Sequence, residues 1–336
     1  MKKQMLTTIG PASLNRETIQ RMEKHGVCLF RINLSHTKLK DIEGVIDKIQ
    51  SWTGVPICLD SEGAQIRNGS MVSEKTVFED GSKITIHSQP VVGDSNDISF
   101  TPNAVFSQLQ VGDLIRVDFD SVTLEVTGIS DDQISAVVKQ GGCVGSNKAA
   151  DINRHIDLDP VTPKDKAAFE VGLDKGLTNF ALSFTNCAAD VAKVREVIGE
   201  EANLISKIES IRGVLNLDEI LPVVDQILID RGDLSREVPI EKIPFILRSI
   251  IAYAKTFDTP VYVATNLLES MVHSSNPTRA EANDVASTLL MGASGLVLAA
   301  ETAIGAHPVG AVKMIESIIE QYNRWTPETS FEDLLP

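Results

Sequence analysis

Cysteine is scarce in this chain, with four among 336 residues, at positions 28, 58, 143 and 187. None forms a CxxC pair or neighbours a histidine pair, which argues against a zinc module and a disulfide-built scaffold. The four are expected as small buried apolar side chains in a reducing, cytoplasmic setting. Basic residues are in deficit too: 31 Lys and Arg stand against 46 Asp and Glu, a net charge of −15. Without clustered Lys and Arg the chain is not expected to bind nucleic acid, although one small anion could still find a local basic pocket. No apolar run approaches the roughly 18 residues that a membrane span needs, so no membrane partner is expected. The run after Met1-Lys2-Lys3 is too short and too soon polar for a signal peptide. What remains is a chain 43% hydrophobic, too apolar for a disordered protein and long enough for one large domain or several ordinary ones.

Periodicity supplies the fold class. Short β-type runs alternate with amphipathic helix patterns, with a turn signal at most junctions. The strands are expected at 5–9, 27–33, 55–60, 177–184, 203–209, 226–230, 260–265 and 295–300. Helices are expected at 16–25, 39–52, 163–175, 188–199, 214–221, 240–257, 279–291 and 309–322. Eight such pairs predict an α/β fold, a (β/α)8 TIM barrel. Between Ser70 and about Asn153 the rhythm breaks into alternating runs separated by Gly, Asp and Ser. That interval predicts a small β-rich domain inserted after the third strand, so the expected barrel is 1–69 with 154–336 and the insert is 70–153.

In such barrels the chemistry gathers where strands run into the following loops. The polar residues there are Arg31 and Asn33 after strand two, Asp60 after three, Ser183 after four, and Lys207 and Glu209 after five. Asp233 follows strand six, Thr265 seven and Glu301 eight. Lys207 and Glu209 are two apart and share one face of a strand. Glu209 and Asp233 offer two hard oxygen ligands for Mg²⁺, with Lys207 beside them to neutralise a transferring phosphoryl group. A barrel-core ion pair would leave the same residues. Arg31 suits bidentate contact to phosphate or carboxylate, and Asn33 and Ser35 suit a monovalent cation or a phosphate. His36 reads equally well as a ligand or as a surface histidine. Around Pro277 to Ala286 the sequence predicts a helix start, with Thr278 as N-cap and Glu281 closing a capping box, a structural or interface segment rather than a catalytic one.

Taken in order, these stretches resemble the pyruvate kinase family. Thr8 to Ser13 resembles its TxGPxS, Phe30 to His36 its RxNxSH, and Leu59 to Arg67 its LDTKGPEIR. Lys207-Ile208-Glu209, Arg231-Gly232-Asp233-Leu234, Ala264 to Met271, Pro277 to Ala286 and Glu301-Thr302-Ala303 resemble KIE, RGDL, ATQMLESM, PTRAEASDVA and ETA. The resemblance implies phosphoryl transfer from phosphoenolpyruvate to ADP, giving pyruvate and ATP. It implies Mg²⁺ or Mn²⁺ on Glu209 and Asp233, and K⁺ at Asn33, Ser35, Asp60 and Ser61. Lys207 and Arg31 would stabilise the phosphoryl group, and Thr265 would stand near the enolate carbon. Ser183, Gly232 and Asp233 would complete the substrate site, the last two through backbone donors. His36, Arg67 and Lys148 would face the nucleotide phosphates, the insert would be the family's lid, and the protein would be a homo-oligomer. The family's C-terminal regulatory domain is not expected here.

Several positions depart from those patterns. Glu62, Ala64 and Gln65 replace Lys, Pro and Glu, Ser235-Arg236 replaces Gly and an apolar residue, and Asn266-Leu267 replaces Gln-Met. Ala299-Ala300 replaces Ser-Gly, and Asp118-Phe119-Asp120 stands in place of a DDG turn. The residues for metal, phosphate and enolate survive better than those for the nucleotide. Two further readings keep the same residues: a metal-dependent lyase, aldolase or transferase acting through a pyruvate enolate, and a binding protein that has lost the reaction.

Overall fold

In a computed structural model the chain divides into two compact units, Met1–Gly63 with Pro160–Pro336 and Ala64–Asp159. Residues 2–118, 121–130 and 132–335 are described, so Phe119 and Asp120 of the expected turn lie outside them.

The first unit is a closed barrel of eight parallel strands. They are β1 (Gln4–Ile9), β2 (Leu29–Asn33), β3 (Ile57–Asp60), β4 (Asn179–Leu182), β5 (Asn203–Ile208), β6 (Gln226–Asp230), β7 (Val261–Ala264) and β8 (Gly295–Leu298). Each pairs with its neighbours in chain order, and β8 closes on β1 through Gln4↔Gly295 and Leu6↔Val297. Most are shorter than the runs that predict them, because pairing begins two residues later in β2, β3 and β4 and stops before the polar residues Ser183, Glu209 and Thr265 that follow β4, β5 and β7. The principal outer helices are α1 (Arg16–Lys24), α2 (Leu39–Trp52), α3 (Pro163–Asp174), α4 (Ala188–Ile198), α5 (Ile243–Lys255), α6 (Arg279–Met291) and α7 (Pro308–Arg324). The single helix expected at 214–221 is instead Ile211–Leu215 and Leu217–Ile220, followed by a 3₁₀ turn at Leu221–Val223. Pro222 cannot donate an amide to an α-helix and sits early in that last turn.

Caps fix the helix entries. Thr162 and Asp165 form a reciprocal capping box at α3, whose first residue is Pro163. Asp165 also accepts the amides of Glu62 (2.7 Å) and Gly63 (3.1 Å), so one carboxylate starts α3 and pins the loop after β3. Thr278 and Glu281 form the expected box at α6, and Glu281 further accepts the Ser270 amide at 2.6 Å, tying down the loop after β7. The outer core packs Phe169 of α3 edge-on against Phe180 of β4, centroids 5.1 Å apart, both wholly buried. Phe169→Ala removes that contact and leaves a cavity; it is expected to destabilise the protein by about 3–5 kcal/mol, read from urea denaturation.

Among its described residues, the second unit is all β apart from a 3₁₀ turn at Asn103–Gln108. Its seven-stranded sheet includes Arg67–Asn68, which pairs antiparallel with Asp97–Thr101. Ile66, Ile156 and Leu158 join its core, which is why the unit extends past both sequence-derived boundaries. Of the cysteines only Cys58 is fully buried; Cys28 and Cys187 are half-buried, and Cys143 is exposed because it takes the outward position of the short strand Gly142–Val144, whose Val144 faces inward. Among the described residues no helix is long and apolar enough to cross a membrane.

Candidate active site

Alternation along the strands builds the site. Leu6, Leu29, Cys58, Ala181, Ile205, Leu228, Tyr262 and Val297 plug the barrel interior. Two residues further along the strands, and so on the same face, come Arg31, Asp60, Ser183, Lys207 and Asp230. An apolar layer therefore lies beneath a polar one that faces the C-terminal end of the barrel. All five polar side chains are buried.

Lys207 is the hub. Its Nζ lies 2.9 Å from Glu209 Oε1, 3.0 Å from Ser183 Oγ and 3.3 Å from Asp60 Oδ1. Ser183 in turn donates to the Ser61 carbonyl (2.7 Å), and its amide donates to Ser61 Oγ (2.8 Å). Arg31 Nε faces Asp60 Oδ2 at 3.2 Å, while its Nη1 is buried with no hydrogen-bond partner. Burial alone would favour neutral Lys207, but Asp60 and Glu209 outweigh it and hold the ammonium more firmly protonated than usual.

Beside Lys207, Glu209, Asp230 and Asp233 place carboxylate oxygens within 4.8 Å of one another. The Phe184 amide donates to Glu209 Oε2 (2.8 Å); Oε1 is fully buried and receives no hydrogen bond of good geometry, although Lys207 is near. Hard oxygens clustered on a buried rim, one of them met only by the Lys207 ammonium, fit Mg²⁺ or Mn²⁺. Charge agrees: buried Asp60, Glu209 and Asp230 outnumber Arg31 and Lys207 by one, and Asp233 with Arg236 (3.3 Å) adds a balanced pair. Burial and the neighbouring carboxylates push the Glu209 carboxyl up to about 8 and raise that of Asp230 as well. A carboxyl raised on folding binds its proton more tightly in the native state, so its contribution to stability is lost as pH rises from 4.5 through about 8. In EDTA the melting temperature is expected to fall across that window, and Glu209→Gln is expected to flatten the fall; calorimetry at several pH values reads both.

Thr265, just after β7, lies in the left-handed region (φ 68°), followed by Asn266 (φ 53°), and Phe184 after β4 does the same (φ 52°). For a β-branched residue this is strained backbone, kept where the surroundings enforce it. Here the Gly232 amide donates to Thr265 Oγ1 (2.8 Å), and Arg231 binds the Thr265 carbonyl (2.6 Å) and Asp284 (2.6 Å).

The expected residues do not all play the parts their positions suggest. Arg31, Asp60, Ser183, Lys207 and Glu209 meet in one contact network, with Asp233 beside Glu209 and Thr265 held by Gly232. The Gly232 amide is taken by Asp230 Oδ1 (3.1 Å) and Thr265, so it is not turned toward a substrate. Glu301 is buried and clamps the amides of Leu268 (3.0 Å) and Ala299 (2.9 Å), a loop fastening rather than a pocket ligand. Asn33 pairs with Asp60 across β2 and β3, and its Oδ1 accepts the Ser35 amide (2.9 Å). His36 is exposed beyond β2. Arg67 and Lys148 belong to the Ala64–Asp159 unit, where Arg67 Nη1 donates to the Asn147 carbonyl (2.9 Å) and Lys148 pairs with Asp118 (3.4 Å). Sequence reasoning missed Asp230, although the signal was present: two residues beyond inward-facing Leu228, it must face inward too.

This arrangement, a clamped lysine and a buried arginine beside carboxylates at the mouth of a (β/α)8 barrel, suits charge stabilisation on a phosphorylated acid. Residues 1–312 match the family model "Pyruvate kinase, barrel domain". The chain is 33% identical to the pyruvate kinase of Thermotoga maritima, covering 94% of this chain and 70% of that protein. It is 34% identical to that of Methylorubrum extorquens (96% and 69%) and 33% identical to that of Clostridium acetobutylicum (95% and 70%). The chain belongs to the pyruvate kinase family.

Proposed function

We propose that this pocket carries the pyruvate kinase reaction, moving the phosphoryl group of phosphoenolpyruvate to ADP, with Lys207 and Arg31 as its catalytic cations. The observation that carries the reading is Lys207, buried and held among Ser183, Asp60 and Glu209. An ammonium fixed this way stands ready for charge developing on the phosphoryl oxygens, with no reorganisation at the moment of transfer. Arg31 brings a buried Nη1 without a partner, a donor available to phosphate or carboxylate. Glu209 and Asp233 would hold Mg²⁺ or Mn²⁺, which when bound supplies neutralisation of phosphate charge. Asn33, Ser35, Asp60 and Ser61 are the proposed K⁺ ligands; replacing K⁺ by tetramethylammonium tests them.

Thr265 is assigned to the second half of the reaction. Its hydroxyl accepts from the Gly232 amide and donates to the Ala264 carbonyl at 2.7 Å, so Oγ1 is fixed in position at the end of β7. From there it would hold the proton bound for the enolate carbon. Thr265→Ala is expected to slow that proton transfer by about 10²-fold or more, read as slower enzyme-dependent exchange of the methyl hydrogens of pyruvate with solvent deuterium, while phosphoryl transfer suffers less. An equal loss in both steps would remove Thr265 from this role. The overall reading is tested by pyruvate formation in a coupled assay, which should require phosphoenolpyruvate, ADP and Mg²⁺ or Mn²⁺ together. Turnover indifferent to the divalent ion would overturn the metal assignment. A homo-oligomer in the cytoplasm belongs to the same reading, and sedimentation velocity checks the assembly.

A further inference from the structure

The third carboxylate, Asp230, has no place in the roles assigned so far. We infer that Asp230 is a ligand of the divalent cation in its own right, taking coordination that Asp233 shares with Arg236. This inference rests on the reading of the pocket as a metal site.

Three observations support it. First, Asp233 Oδ1 is engaged by Arg236 Nη1 at 3.3 Å, so part of its charge is already answered within the chain. Asp233 is also the most open of the three carboxylates, the other two being buried. Second, the Asp230 carboxylate meets no cation within ion-pair distance among the described residues, unlike Asp60 with Arg31 and Glu209 with Lys207. A buried carboxylate without such a partner is costly unless something positive comes to it. Third, Asp230 supplies the excess negative charge: without it Asp60 and Glu209 balance Arg31 and Lys207. Its neighbour Glu209 Oε1, buried without a well-formed hydrogen bond, lies in the same oxygen cluster.

A purely structural role is the competing account, since Asp230 accepts the Gly232 amide at 3.1 Å and caps the short Arg231–Leu234 turn. Asn and Ser cap nearly as well as Asp. Asp230→Asn and Asp230→Ser therefore keep a capping oxygen while removing the charge, and two variants guard against one failing to fold. Mn²⁺ binding to the whole chain without substrate is measured by the paramagnetic resonance signal of free Mn²⁺. Water-proton relaxation of the bound ion is measured in parallel, with Glu209→Gln as reference.

Both Asp230 variants are expected to weaken Mn²⁺ binding by about tenfold or more. Relaxation enhancement per bound ion should rise, because water takes the vacated position. Unchanged affinity and relaxation in the Asp230 variants, with binding lost in Glu209→Gln, would overturn the inference and leave the metal site standing. Absence of Mn²⁺ binding by the unaltered chain would overturn the inference together with the metal reading beneath it.

Discussion

Lys207→Ala is expected to lower kcat by about 10³-fold or more, since it removes the buried ammonium proposed to stabilise the phosphoryl group in transfer. The substitution also strips Glu209 and Asp60 of a partner at 2.9 and 3.3 Å. Leaving buried carboxylates uncompensated costs about 3–5 kcal/mol when a pair is broken. The two effects separate in the data. Lost stability appears as a lower melting temperature, and lost chemistry appears as a lower kcat at temperatures where the variant is still folded. Restored activity on cooling would assign the lysine to stability alone; persistent inactivity in folded protein places it in the reaction.

Glu209→Gln is the second large effect, expected at about 10²-fold to 10³-fold in kcat. Glutamine can still accept the Phe184 amide, so the loop after β4 keeps its anchor. It cannot hold a divalent ion as a carboxylate does, and its amide donors would face the Lys207 ammonium. Raising Mn²⁺ should recover part of the loss if binding is the main defect. A variant with wild-type turnover at ordinary Mg²⁺ would remove Glu209 from the metal site.

Much of this was legible in the sequence, for reasons that differ by element. The barrel could be read because each strand is a short apolar run followed by a periodic helix, and because Thr278 with Glu281 marks a helix start outright. Lys207 and Glu209 could be read together because residues two apart on a strand share a face. Asp230 shares a face with Leu228 in the same way, but it precedes the Arg231-Gly232-Asp233-Leu234 motif, which points to Asp233 alone. Glu301 shows the opposite failure. It stands after a strand, where catalytic groups gather, but it spends both oxygens on the amides of Leu268 and Ala299. Sequence position gives the direction of a side chain, and only the folded neighbourhood shows whether its polar atoms are already taken. The same limit applies to Gly232, whose amide at a helix start suggested a phosphate donor but is taken by Asp230 and Thr265. The short turns after β5 were illegible for a different reason: Pro222 interrupts a pattern whose apolar spacing is still helical.

The clamped lysine and its carboxylates are proposed to move a phosphoryl group from phosphoenolpyruvate to ADP. Phosphorus resonance of phosphoenolpyruvate and ADP incubated with the protein and Mg²⁺, beside Lys207→Ala, tests it most directly. The phosphoenolpyruvate signal is expected to fall as the γ-phosphate signal of ATP rises in equal amount, and the substitution to abolish both changes. Consumption of phosphoenolpyruvate without ATP, or no consumption by folded protein that binds Mn²⁺, would contradict it.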